Sequence, residues 1–229
     1  MKKLLDKHSL PVRIFHWINF PVIFIMIWSG TLIYWANGVY KITVANHVLF
    51  KFYPPSVYKA LNIPYRLAEG MSWHFVFMWF FFFNGLIYFI YLIFSGEWRE
   101  MIPKLSSFKD AWFVLLHDLH IRKKKPDQGK YNAAQRLAYT GIVFMGFGSL
   151  LTGLVIYKPV EFSYLTTLLG GYEAARFQHF LLTIGFLLFF VIHILQVILA
   201  GWNNFRSVVT GWEVKKDESV SEKEKENGR

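Results

Sequence analysis

The chain contains no cysteine. Disulfides, thiolate-held iron–sulfur clusters and thioether-attached c-type haem are therefore excluded, and any cofactor must be held by other side chains. Charge is missing in long blocks: residues 14–34, 72–94, 137–157 and 177–205 contain no Asp, Glu, Lys or Arg. A helix crosses a bilayer with ~20 predominantly apolar residues, so each block is long enough to span. The implied class is all-α, an integral membrane four-helix bundle, with spans at about 11–34, 72–94, 134–157 and 177–203 in one domain of residues 1–214. Lys2 and Lys3 ahead of the first span give it the layout of a secretory signal, but its apolar run is too long for one, so the span is read as retained.

Acid is scarce, with 15 Asp and Glu against 25 Lys and Arg. The excess is unevenly placed. The N-terminus, the 95–136 segment and the tail together hold 19 of the 25 basic residues, and the other side holds Lys41, Lys51, Lys59, Arg66, Lys158 and Arg176. The positive-inside rule then puts both termini and the 95–133 loop in the cytoplasm and the 35–71 loop in the periplasm, as for a multi-pass protein of the bacterial inner membrane. The run from Arg122 to Lys125 reads as part of that basic cytoplasmic loop and not as a nucleic-acid patch. Ser9 and Pro11 mark the start of the first helix. Residues 111–120 read as an interfacial helix, and the charged tail 215–229, which lacks aromatics, reads as disordered.

What the apolar blocks do contain is histidine: His16, His74, His179 and His193. An ionisable side chain in hydrocarbon costs a few kcal/mol or more, so each is a functional candidate. His179 and His193 are fourteen residues apart on one helix. That separation turns about 1400°, some 40° short of four turns, and places both rings on one face about 21 Å apart along the axis. The spacing suits two haem b groups stacked across the membrane, each ligated by two histidines. Paired by depth, His74 meets His179 on the outer side and His16 meets His193 on the inner side. Gly30, fourteen residues after His16, offers the outer porphyrin a wall without a side chain. Gly85, Gly141, Gly146, Gly148, Gly153 and Gly185 offer other close approaches, for a porphyrin or for helix packing alone. Haem propionates need cations, for which Lys158 outside and Arg13 or Arg136 inside are candidates.

Other features point elsewhere with less force. His117 and His120, spaced i, i+3, read as a solvated helix face, His8 and His47 lie outside the spans, and Phe80 to Phe83 read as lipid-facing bulk. A di-iron membrane hydroxylase would need several HxxxH or HxxHH clusters, and only His117-x-x-His120 comes near. A non-redox anchor or transporter would leave the aligned histidines without a purpose.

Several motifs together carry a resemblance: Arg13-Ile-Phe-His16-Trp17, His74 opening the second span, Gly129-Lys-Tyr-Asn-Ala-Ala-Gln135-Arg136 entering the third, Tyr157-Lys-Pro159 leaving it, and His179-x13-His193. From Arg13 to about Val214 the chain resembles the di-haem cytochrome b subunits of membrane-bound respiratory enzymes, namely the gamma subunit of formate dehydrogenases and its relatives in nickel-iron hydrogenases and thiosulfate reductases. The resemblance implies two haem b groups, ligated by His16 with His193 and by His74 with His179, and a quinone beside the inner haem near Asn132. Tyr131 and Gln135 would share that quinone site, supplying donors and acceptors where the chain re-enters the membrane. It also implies a periplasmic oxidoreductase partner, of formate dehydrogenase, hydrogenase or other molybdoenzyme type, exchanging electrons with the quinone pool. The long 35–71 loop, which would face that partner, departs from the formate dehydrogenase pattern.

Overall fold

The structure is a computed structural model and describes residues 2–118 and 133–216. In chain order its elements are β1 (Lys2–Asp6), α1 (Leu10–Tyr34), β2 (Lys41–Val44), β3 (His47–Lys51), α2 (Pro55–Ala60), α3 (Leu67–Ser95), α4 (Trp98–Met101), α5 (Ser107–Asp118), α6 (Ala133–Tyr157), α7 (Ser163–Leu168), α8 (Tyr172–Thr210) and β4 (Trp212–Lys216). Helices α1, α3, α6 and α8 are each long and apolar enough to cross a membrane. The chain divides into two compact units, Ile14–Ile87 and Met1–Arg13 with Tyr88–Arg229.

In the first of these, α1 and α3 approach closely because α3 carries Gly70. A Cβ there would lie 2.7 Å from Leu32 Cβ and 3.0 Å from the Ser29 carbonyl, closer than atoms can pack. Glycine thus lets backbone meet backbone. Further along, the buried Asn84 amide donates to Asn19 Oδ1 at 2.8 Å and to the Phe15 carbonyl at 3.4 Å. A polar pair inside a span persists because each group is hydrogen-bonded.

The 35–71 segment is an ordered cap. Pro54 and Pro64 bracket α2, whose first residue is Pro55, where a missing N–H costs nothing. Strands β2 and β3 form a hairpin whose turn residues, Ala45 (φ 48) and Asn46 (φ 64), both take the left-handed conformation that a two-residue turn demands. Tyrosines fasten this segment to the end of α1. Tyr58, 2% exposed, donates to the Thr31 carbonyl at 2.6 Å and stacks on Tyr65, while Tyr34 donates to the Phe52 carbonyl at 3.1 Å. Burial pushes the Tyr58 phenol up to about 12, so it stays a donor at every physiological pH.

In the other unit, α6 and α8 pack through glycine on both sides. A Cβ at Gly185 would lie 2.8 Å from Met145 Sδ, and one at Gly148 would lie 3.2 Å from Leu182 Cδ1. Helix α8 is broken at Gly201, where φ is +79 and ψ is 173, so its last turns after that residue form a separate segment. Gly211, also at positive φ, ends it and turns the chain into β4. Arg13 Nη1 reaches the Val209 carbonyl at 2.8 Å, a cation at a helix C-terminus. Strand β4 pairs antiparallel with β1, Lys2 opposite Lys216 and Leu4 opposite Val214. This ribbon leads α1 and follows α8, so both strands lie on one side of the membrane, as an even number of crossings requires.

Two expectations change. Lys215 and Lys216, assigned by composition to a disordered tail, belong to β4, because a partner strand supplies the backbone hydrogen bonds that composition cannot foresee. The rest of that tail lies outside the described residues. The interfacial helix begins earlier, at Ser107, whose hydroxyl accepts from the Lys104 N–H, and His120 lies outside the described residues. Helix α1 begins at Leu10, directly after Ser9 and with Pro11 in its first turn, and the Ser9 hydroxyl lies 3.0 Å from the Tyr91 hydroxyl, which in turn donates to Glu97.

Candidate functional site

His74 is the eighth residue of α3, one turn beyond Gly70 on the same helix face. The close approach at Gly70 therefore delivers its ring to α1, where Nδ1 lies 3.0 Å from Ser29 Oγ. The Ser29 hydroxyl donates its one proton to the Met26 carbonyl at 3.1 Å. Toward the histidine the hydroxyl must then accept, so Nδ1 carries the proton and the lone pair falls on Nε2. The next residue, Gly30, faces the same ring, its missing Cβ 3.9 Å from His74 Cε1.

The same construction occurs on α6 and α8. His179 is the eighth residue of α8, and its Nδ1 lies 2.9 Å from Thr152 Oγ1. Thr152 donates to the Gly148 carbonyl at 2.7 Å, so it too accepts from Nδ1–H and leaves the lone pair on Nε2. Gly153 follows, its missing Cβ 3.6 Å from His179 Cε1. Metal-bound histidine commonly donates its second ring N–H to a nearby acceptor, which fixes tautomer and orientation. Together, a lone pair on Nε2, a hydroxyl behind the ring and a glycine beside it fit an axial haem ligand.

The other two histidines are set among aromatic rings. His16, six residues into α1, meets Trp17 edge-on at 5.1 Å between centroids, and His193 stacks on Phe189 at 5.7 Å with 6° between planes. His16 thus lies about 9 Å from the start of its helix, and His193, eight residues before the break at Gly201, about 12 Å from that break.

Lys158, just beyond α6, forms an ion pair with Glu161 at 2.9 Å. The hydrogen bond and charge of Glu161 hold the lysine above its usual pKa, and Lys158 holds the Glu161 carboxyl below the usual range. Arg136 lies 3.8 Å from Glu100. Arg13 Nε is buried with no acceptor among the described residues. Gln135 lies in the first turn of α6, whereas Tyr131 and Asn132 lie outside the described residues. Phe80 and Phe83 are exposed, and His47 lies in the exposed strand β3. Among the described residues no three His, Cys, Asp or Glu side chains gather as a metal cluster, the arrangement a di-iron hydroxylase would need.

Sequence reasoning missed Ser29, Thr152, Gly70 and the Asn19–Asn84 pair. Ser29 and Gly30 were adjacent in plain view, as were Thr152 and Gly153, and the repeated hydroxyl–glycine step was the available signal.

Apolar helices of membrane-spanning length that carry histidines with the lone pair on Nε2 fit the class of haem-binding electron-transfer proteins. Residues 7–211 match the model of the prokaryotic cytochrome b561 family, and the chain belongs to that family. A relative from Azospira oryzae, a putative protein-methionine-sulfoxide reductase subunit YedZ1, is 33% identical over 199 residues, which cover 86% of this chain and 93% of the relative. The chain is thus a bacterial multi-pass, cytochrome b561-type membrane subunit.

Proposed function

We propose that the chain binds two haem b groups and carries electrons between the quinone pool and a redox enzyme on the periplasmic side of the inner membrane. In this reading His74 and His179 hold the outer haem, and His16 and His193 hold the inner one. When bound, haem iron supplies one-electron redox chemistry, and the protein orients the ligands and sets their basicity. The observation that carries the reading is the shared state of His74 and His179, each hydroxyl-bonded at Nδ1 with its lone pair on Nε2. Lys158 outside and Arg13 inside are the proposed propionate cations, and the buried Arg13 Nε supports this because it still needs an acceptor. Both termini are read as cytoplasmic, which the basic-residue asymmetry supports.

The partner is read as a periplasmic sulfoxide reductase, in preference to a formate dehydrogenase, hydrogenase or thiosulfate reductase, on the strength of the relative's name. Converting a methionine sulfoxide to a thioether and water consumes two electrons and two protons. Quinol is then the donor and electrons move outward. Tyr131, Asn132 and Gln135 form the proposed quinone site at the cytoplasmic edge. The 35–71 cap is the proposed docking surface: up to residue 68 it carries Lys41, Lys51, Lys59 and Arg66 and no acid, and its hairpin exposes Ile42, Val44 and Phe50. An acidic partner surface fits it. The test is to reduce the complex, purified from its native membrane, with a quinol analogue and then add a methionine sulfoxide peptide. Rapid reoxidation of the haem is expected. Haem that stays reduced on adding the sulfoxide, but in the oxidised complex is reduced by formate or hydrogen without any quinol, overturns the partner assignment.

A further inference from the structure

We propose that the groove between the end of α8 and the β1–β4 ribbon is a binding site for one anionic phospholipid, whose phosphate is held by Arg206. The inference does not depend on the number of haems or on the identity of the redox partner. All of its residues belong to the unit formed by Met1–Arg13 and Tyr88–Arg229.

The break at Gly201 builds the groove. Beyond it the uncharged run has ended, and Trp202 to Thr210 form the separate last segment of α8. Asn203 fastens this segment to β4 at both backbone groups of Val214. Its Nδ2 donates to the Val214 carbonyl at 3.0 Å, and its Oδ1 accepts from the Val214 N–H at 3.1 Å. The space left open, about 280 Å³, is lined by Leu4, Arg206, Thr210 and Trp212.

Arg206 supplies the charge. Its Nη2 donates to Asn203 Oδ1 at 3.1 Å, so the amide that fastens β4 also fixes the guanidinium. A guanidinium carries five N–H donors in a planar fork that matches a phosphate. Among the described residues Arg206 has no carboxylate partner, and Glu213, the acid of β4, is engaged by Lys7 at 3.2 Å. The Thr210 hydroxyl is already occupied, donating to the Arg206 carbonyl at 3.0 Å and accepting from the Trp212 N–H at 3.3 Å.

The other walls are apolar and open. Leu4 is 63% exposed and Trp212 48%, and Trp202 at the head of the segment is 74% exposed. Apolar surface with tryptophan and cations past the end of a span suits the headgroup layer of a bilayer. A free phosphate ion leaves such walls bare, whereas the acyl chains of a lipid cover them. The charge balance selects an anionic lipid: residues 2–13 and 201–216 hold seven Lys and Arg against Asp6 and Glu213. The ribbon's register also sets Lys2 opposite Lys216 and Lys3 opposite Lys215. Like charges at directly opposed positions destabilise paired strands, and an anionic surface offsets that repulsion.

The experiment is native mass spectrometry of the delipidated, haem-loaded, full-length protein, offered phosphatidylglycerol and phosphatidylcholine in equal amounts. The parent should retain one phosphatidylglycerol in preference to phosphatidylcholine. Arg206→Gln should weaken that retention about tenfold at unchanged haem content, and Arg206→Lys should restore part of it. Trp212→Ala should weaken it too, which a site for phosphate alone would not show. Arg99→Gln, at an exposed arginine that does not line the groove, should leave it unchanged. If Arg206→Gln fails to load haem, Thr210→Glu sets a negative charge on the same wall and must also lower retention. Equal retention of the two lipids, parent-level retention in Arg206→Gln or Thr210→Glu, or an equal loss in Arg99→Gln overturns the site. Displacement of phosphatidylglycerol by inorganic phosphate at equal concentration overturns the lipid as its occupant.

Discussion

Ser29 illustrates how much of the site depends on residues whose own chemistry is ordinary. Four histidines stand out in an apolar sequence because ionisable groups are costly there. Serine and threonine do not, since they commonly satisfy themselves on a carbonyl of their own helix. Only the fold tells which hydroxyl also faces a ring. Gly70 was hidden for a similar reason: it lies ahead of the uncharged block that marks the second span. Its role is tested by Gly70→Ala. The added Cβ must displace Leu32 or the Ser29 backbone, for which overpacking costs of about 1–3 kcal/mol apply. Because Gly70 sets the approach that brings His74 to Ser29, loss of thermal stability should come with loss of about one haem per chain, measured by absorbance against protein. Gly30→Ala is the contrasting case, since its Cβ would make only ordinary contact with His74. Stability of the apoprotein should be nearly unchanged there.

At the scale of elements, the spans were legible because the absence of charge over ~20 residues has few other meanings. The strands were not. The β2–β3 hairpin turns at Ala45-Asn46, which lacks the glycine that advertises such a turn. Strand β4 was hidden by its composition, since Lys215 and Lys216 look like the start of a solvated tail until Lys2 and Lys3 are found opposite them. The break in α8 was half visible: Gly201 ends the apolar run, but the helical segment beyond it follows from the chain's need to return to β1. The ribbon can be tested cleanly in a chain without cysteine. Leu4→Cys with Val214→Cys places two thiols at directly opposed positions, where strand spacing falls within disulfide reach. Mild oxidation should close a ring of more than two hundred residues and shift the chain on a non-reducing gel. Either single variant should stay linear, and a double variant that also stays linear would remove the β1–β4 pairing.

For the whole molecule, function follows from chemistry distributed by height. Basic residues concentrate in the segments 1–13, 95–136 and 206–229, and four of the remaining six lie in the 35–71 cap. Membership of the cytochrome b561 family makes the chain a haem-binding electron carrier, while the number of haems and their ligands rest on four side chains. The most direct measurement of that claim is haem stoichiometry with a reductive titration on the purified chain, repeated for each histidine-to-alanine variant. Two haem b per chain in two one-electron waves are predicted. His74→Ala and His179→Ala should remove one and the same wave, and His16→Ala and His193→Ala the other. One haem per chain, or a variant at any of the four positions that keeps both waves at full amplitude, would contradict it.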